Sequence, residues 1–204
     1  MKLYIFVQAR MSSKRLPGKV LIKIKKKNCL EHIHSRLDYF GSNKIIILTS
    51  KNSSDEPIHR FCVKKKYNFF KGPLNNVYSR YCKALKMYKC DAFIRVTGDS
   101  PLISSKIIKE IVKIYKKKKY DIVTNCLIKT FPTGQSVEMI DSQLFLKYEK
   151  KIIKQNDKEH IFSYFYRNEN KFKIFNLRSK VKYKIKHLSL DNFSDIKFLS
   201  KRIK

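Results

Sequence analysis

Apolar residues follow two alternating rhythms along the chain. Residues 3–7 form an unbroken run with a β-branched and aromatic bias, the pattern of a strand buried on both faces. Residues 45–48 repeat it, 92–96 do so around Arg95, and residues 68–70 and 120–124 also read as strands. Between these runs the spacing widens to three and four. Leu30, Ile33, Leu37 and Phe40 share one helical face over residues 29–40. Val77, Tyr81, Leu85 and Tyr88 share another, and Ile107, Ile108, Ile111, Val112 and Tyr115 a third. Asp55-Glu56-Pro57 puts acids and a proline in a first turn and opens a helix that runs to about Lys66. Strands alternating with helices of this length predict βαβ units: an α/β fold with a mostly parallel central sheet and flanking helices.

The second half is less regular. The pattern predicts a strand at 137–140, helices over 141–153 and 158–166, strands at 172–177 and 186–190, and a last helix over 194–202. A lysine run at 116–119 falls at a helix end, where cations suit the helix dipole. With no internal repeat and no low-complexity linker, 204 residues read as a single domain, 1–204.

Composition changes this picture in one respect. Lys+Arg is 47 against 16 Asp+Glu, a formal net charge of +31. Alone, that imbalance suggests a nucleic-acid or anionic-membrane binder. The cations are 38 Lys and only 9 Arg, however, and nucleic-acid readers lean on Arg for bidentate and stacked contacts. Together with 24 Ile, 12 Asn and only 3 Ala, the lysine excess fits the codon bias of an AT-rich genome, so no specific nucleic-acid partner is expected. An apolar fraction of 43% excludes a disordered basic tail. No apolar run approaches membrane-spanning length, and the first apolar stretch is too short for a signal sequence. Cys29, Cys62, Cys82, Cys90 and Cys126 are an odd, scattered set without a CxxC pair; they read as reduced thiols, and a cytoplasmic location is expected.

In an open parallel sheet, ligands bind outside the carboxyl ends of the strands. Polar and special residues cluster at two such ends. After the first strand comes Arg10-Met11-Ser12-Ser13-Lys14-Arg15-Leu16-Pro17-Gly18-Lys19, with four cations, two serines and a turn. Neither GxGxxG nor a Walker loop is present. Cations, hydroxyls and backbone N–H groups together suit a polyphosphate cradle, though spacing alone leaves a solvated basic loop equally open. After the strand at 92–96, Thr97-Gly98-Asp99-Ser100-Pro101 places a carboxylate in a turn. Mg²⁺ takes one or two carboxylates plus phosphate oxygens, so Asp99 gains meaning beside such a cradle.

These two loops resemble those of the sugar cytidylyltransferase family. The nearest branch is that of spore-coat polysaccharide synthesis protein F, related to 3-deoxy-manno-octulosonate and acylneuraminate cytidylyltransferases. The likeness begins at Gln8-Ala9-Arg10 and continues through Leu30-Glu31-His32-Ile33, Asn76-Val77-Tyr78-Ser79-Arg80-Tyr81 and Arg95-Val96-Thr97-Gly98-Asp99. Phe131-Pro132-Thr133-Gly134, Val137-Glu138, Glu159-His160-Ile161 and Leu188-Ser189-Leu190-Asp191-Asn192 extend it over nearly the whole chain.

The resemblance implies a nucleotide-diphospho-sugar transferase (Rossmann-like) fold and transfer of CMP from CTP to a sugar-type acceptor, with release of pyrophosphate, for surface polysaccharide or glycan synthesis. It implies that Gln8, Ala9, Arg10, Met11, Ser12, Ser13, Lys14, Arg15, Lys19 and Gly98 bind the nucleotide. Arg15, Lys19 and Asp99 would be catalytic, Asp99 and Asp191 would hold Mg²⁺, and Glu138 and His160 would contact the acceptor. A homodimer is a further expectation. Residue types alone leave alternatives open: His160 as a structural hydrogen-bonder, Asp191 as a helix N-cap, and Arg95 facing either the site or an internal acid. Ser12, Asn75-Asn76, Ser136 and Asn192-Phe193-Ser194-Asp195 depart from the family pattern. Another nucleotidyltransferase, an inactive relative and a basic nucleic-acid binder are the competing functional readings.

Overall fold

The apolar runs of the first half become strands, and the amphipathic stretches become helices packed on them. A computed structural model describes residues 1–117 and 119–203. In chain order the first half contains β1 (Leu3–Gln8), a small hairpin of β2 (Lys23–Ile24) and β3 (Lys27–Asn28), α1 (Cys29–Leu37) and β4 (Ile45–Ser50). It continues with α2 (Glu56–Lys65), β5 (Asn68–Gly72), α3 (Val77–Tyr88), β6 (Ala92–Thr97) and α4 (Ser105–Tyr115). The second half contains β7 (Ile122–Thr124), β8 (Glu138–Asp141), α5 (Ser142–Lys147), α6 (Gln155–Glu159), α7 (Ser163–Arg167), β9 (Ile174–Asn176) and α8 (Phe193–Ser200). The basic run expected at 116–119 follows the end of α4; its Lys118 lies outside the described residues.

Seven strands form one sheet in the order β5-β4-β1-β6-β8-β7-β9. The first four are parallel, and β8 runs antiparallel to both β6 and β7. This is the mostly parallel α/β sheet that the alternation predicts. Every residue of β4 is buried, as an unbroken apolar run requires of a strand covered on both faces. In β1, Ile5 and Val7 join one core with Ile33 of α1, Ile58 of α2 and Ile108 and Ile111 of α4. Phe6 points the other way, into an aromatic cluster with Tyr81 of α3, Phe93, Phe145 of α5 and Phe165 of α7. A satellite cluster joins Leu16, Ile24, Leu190 and Leu199, tying the loop after β1 to the segment before α8.

Three expectations change. The helix expected over 158–166 is broken into α6 and α7: His160 leaves helical geometry (φ −105°, ψ 84°) so that Ile161 and Phe162 drop into the aromatic core. The helix expected over 141–153 ends at Lys147 and gives way to a 3₁₀ turn, Glu149–Lys151. The strand expected at 186–190 does not form. It makes a single bridge, Thr133 to His187, and Leu190 N–H instead donates to Asp99 O at 2.8 Å. Its apolar alternation is real, but Leu190 goes to the satellite cluster and not to the sheet.

Candidate active site

Three local devices bring distant residues together beyond the carboxyl ends of β1 and β6. The first fixes the start of the cationic loop. Asp55, wholly buried, accepts Met11 N–H at 2.7 Å through one oxygen. Its other oxygen holds the Ser50 N–H at 3.1 Å and the Ser50 hydroxyl at 2.5 Å. Sequence reading gave Asp55 to the start of α2, yet its side chain makes no capping bond there. The second device is Leu16, 1% exposed, which pins the middle of the loop into the satellite cluster. The third is Gly98. Its N–H donates to Gln8 O at 2.8 Å, and a Cβ there would lie 2.9 Å from that oxygen and 3.1 Å from Ala9 Cβ. Only glycine lets the two strand-end loops approach this closely.

Lys19, Asp99 and Asp191 then meet. Lys19 Nζ donates to Asp99 Oδ2 at 2.5 Å and to Asp191 Oδ1 at 2.8 Å. Arg15 Nη2 donates to the same Asp191 oxygen at 2.8 Å. The other Asp191 oxygen accepts the Ser189 hydroxyl at 3.0 Å and lies 3.6 Å from His187 Nε2. Asp195 accepts the N–H groups of Asp191 and Asn192, both at 2.8 Å, and caps α8. The N-cap is therefore Asn192, with Asp195 as its reciprocal partner, and the Asp191 side chain is left for Lys19 and Arg15.

The electrostatics follow. Burial works against the Lys19 charge, but Asp99 and Asp191 outweigh it and hold its pKa above the usual lysine value. Burial also works against the Asp191 charge; hydrogen bonds from Lys19 and Ser189 and the nearby Arg15 outweigh it and keep the carboxyl below its ordinary range. Two carboxylate oxygens thus converge on one ammonium.

This cluster borders a cavity of about 460 Å³. Gln8, Arg10, Ser13, Lys14 and Gly98 also line it, as does His160, which is exposed at its rim. Arg10 pairs with Glu159 at 3.3 Å. Three predicted nucleotide contacts sit elsewhere: Ala9 is buried in the core, Met11 packs against it, and Ser12 is exposed outside the cavity lining. Glu138 is 4% exposed and lies behind the lining. It accepts from Arg95 Nη1 at 2.5 Å and from the Tyr166 hydroxyl at 2.7 Å. Arg95 also donates to Gln8 Oε1 at 3.1 Å, so it both lines the cavity and pairs with an internal acid. Burial opposes its charge, but Glu138 outweighs burial and raises its pKa.

Sequence reasoning missed Arg80, which lines the same cavity at 1% exposure. The signal was present in Gly72-Pro73 before α3. A Cβ at position 72 would lie 2.5 Å from Arg80 Cγ, so the strand ends on the one residue that admits the arginine stem. A second cleft of about 490 Å³ opens at the other end of β1, beside Leu3, Ile5, Tyr39 and Lys109. Among the described residues its lining contains no carboxylate and none of the predicted site residues.

Comparison with known proteins adds an independent line. The family model described as cytidylyltransferase matches residues 4–200. An uncharacterized protein of Methanocaldococcus jannaschii is 32% identical over 200 residues, covering 97% of this chain and 81% of that one. The spore coat polysaccharide biosynthesis protein SpsF of Bacillus subtilis is 25% identical over 166 residues, covering 78% of this chain and 67% of its own length. The solved structure of a cytidylyltransferase from Leptospira borgpetersenii serovar Hardjo-bovis matches with a TM-score of 0.90 at 32% identity, covering 98% of this chain and 85% of that one.

Proposed function

This chain belongs to the cytidylyltransferase family, and we propose that it transfers CMP from CTP to a sugar-type acceptor, releasing pyrophosphate. The observation that carries this reading is the convergence of Lys19, Arg15, Asp99 and Asp191 at the edge of one cavity. Likeness to a protein named for spore coat polysaccharide biosynthesis supports a sugar destined for a surface polysaccharide or related glycan.

The chemistry asks little covalent work of the protein. An acceptor oxygen attacks the α-phosphorus, a P–O bond to pyrophosphate breaks, and negative charge grows on the leaving oxygens. Positioned cations lower that barrier because they already point where charge develops. Arg15 and Lys19 hold the triphosphate, with Arg10 and Lys14 on the same loop adding positive field. Ser13 and Gln8 supply polar contacts beside them.

The donor set fits Mg²⁺. Asp99 and Asp191 offer hard oxygen ligands that converge on a single cation, and few other ligands are needed where phosphates complete the shell. Asp99 and Asp191 would hold the ion, which supplies charge neutralisation at the phosphates when bound. Lys19 is shared between these carboxylates and the incoming triphosphate, and the phosphates draw it away from the acids. His160, at the rim, contacts the acceptor. Glu138 acts on the acceptor side through Arg95, which it orients.

A pyrophosphate-release assay with Mg²⁺, a panel of nucleoside triphosphates and candidate sugar acceptors tests the proposal. Release with CTP and at least one acceptor is expected. Release with another nucleotide and none with CTP overturns the choice of CTP, and no release across the whole panel overturns the activity.

A further inference from the structure

Arg80 is the largest fully buried side chain among the described residues, and its surroundings do not neutralise it. Its Nε and Nη2 donate to Pro73 O at 3.0 and 2.8 Å, and Nη2 also reaches Leu74 O at 3.1 Å. These acceptors are neutral carbonyls. They fix the plane of the guanidinium but leave its charge standing. Nη1 has no hydrogen-bond partner among the described residues.

The other arginines of the cavity differ. Arg10 has Glu159, Arg15 has Asp191 and Arg95 has Glu138. Arg80 makes no ion pair among the described residues. Burial lowers its pKa; the neighbouring groups that favour its charge are the Tyr81 phenol and then the Asp55 carboxylate, whose oxygens are already engaged by Met11 and Ser50, while Arg10 adds repulsion. A buried cation without a partner is costly, several kcal/mol in ordinary cases, and the fold nevertheless ends β5 on Gly72 to admit it.

We propose that Arg80 is a ligand-binding residue of this cavity, where its Nη1 edge takes an anionic oxygen group, carboxylate or phosphate. The guanidinium is held by carbonyls in advance, so little side-chain entropy is lost when the anion arrives. Arg10 and Arg80 both line this cavity. Two sources carry such a group: the triphosphate of the nucleotide, or an acidic acceptor. Assignment between them rests on the proposed function; the anion site itself does not.

Arg80→Gln and Arg80→Lys separate the possibilities by calorimetric titration, with folding checked by thermal melting. The probes are CTP, cytidine and inorganic phosphate on the free protein, and pyruvate on the CTP-loaded protein. If the nucleotide is the source, Arg80→Gln weakens CTP by roughly tenfold to a hundredfold, cytidine is unchanged, and Arg80→Lys recovers part of the loss. If the acceptor is the source, CTP is unchanged and pyruvate binding to the loaded protein is lost. Should the wild-type protein bind no CTP, the functional reading fails, and loss of inorganic phosphate binding in Arg80→Gln still supports the site. Equal binding of every probe by folded Arg80→Gln overturns the proposal. So does an equal loss across all of them, cytidine included, since that is the signature of a residue that only staples residues 73–74.

Discussion

Two ionic clusters border the same cavity and are built on different plans. At the edge, one ammonium serves two carboxylates, with Lys19 13% and Asp99 25% exposed. Deeper in, Arg95 and Glu138 form one pair whose acid is 5% exposed and is closed off further by the Tyr166 hydroxyl. The edge cluster shares two carboxylates between Lys19 and Arg15 and is open to solvent at Arg15 and Asp99, so its partners can be exchanged for an incoming cation or phosphate. The inner pair is matched one to one and its acid is enclosed, while Arg95 faces the cavity, so breaking it leaves a half-buried charge without its carboxylate. The first arrangement suits chemistry; the second suits positioning.

Asp99→Asn tests the edge most severely. It should lower pyrophosphate release by about a thousandfold, the scale set by removing one preorganised electrostatic group, while circular dichroism melting stays close to wild type. Substantial release would remove Asp99 from the proposed metal site. Glu138→Gln tests the interior. It leaves the half-buried Arg95 without its carboxylate and should cost about 1–3 kcal/mol in urea unfolding; a loss below about 1 kcal/mol would show the pair to be as exchangeable as the edge.

Lys19→Met sharpens the contrast in two measurements. Nucleotide affinity should fall by roughly tenfold to a hundredfold, as for loss of a charge-assisted contact. The pH dependence should change as well. The folded Asp191 carboxyl titrates below its unfolded value. Its stabilisation is therefore present at neutral pH, begins to fade as pH drops past about 4, and is gone below the depressed value. Urea titrations on the acid side should show this loss in the wild type and a smaller one in Lys19→Met. An unchanged acid limb would mean that Lys19 does not set the Asp191 titration.

Gly98→Ala should destabilise by about 1–3 kcal/mol, because its methyl meets the Gln8 carbonyl. Its activity should fall further than its stability, since Asp99 is carried by the displaced turn. The smallest effect belongs to Arg10→Ala. The Arg10–Glu159 pair is nearly half exposed on both sides, so unfolding should change by less than about 1 kcal/mol.

The parallel half of the fold was open to sequence reading because its signals are local. Short apolar runs bounded by turn signals suit strands covered on both faces, and β1, β4 and β6 each begin where the run begins. Within the site, the cationic loop and Asp99 were visible for the same reason: both follow directly on a buried strand. The second half misled because its apolar residues serve packing that no periodicity encodes. Ile161 and Phe165 keep helical spacing, yet the chain breaks at His160 to bury Ile161 and Phe162. Leu188 and Leu190 alternate like a strand, yet Leu190 belongs to a cluster with Leu16 and Leu199.

The sequence by itself therefore determined the α/β class, the strand-end loops and the residue types able to meet phosphate and a divalent cation. Tertiary structure alone decided which charges share a partner. Lys19 and Asp191 are brought together by Leu16 and Leu190 in one apolar cluster and by the Leu190 N–H on Asp99. Arg80 is turned inward by a glycine at the end of β5. Both are long-range consequences of packing. An ion pair's worth depends on its burial and its neighbours, and neither is a property of residues taken one at a time.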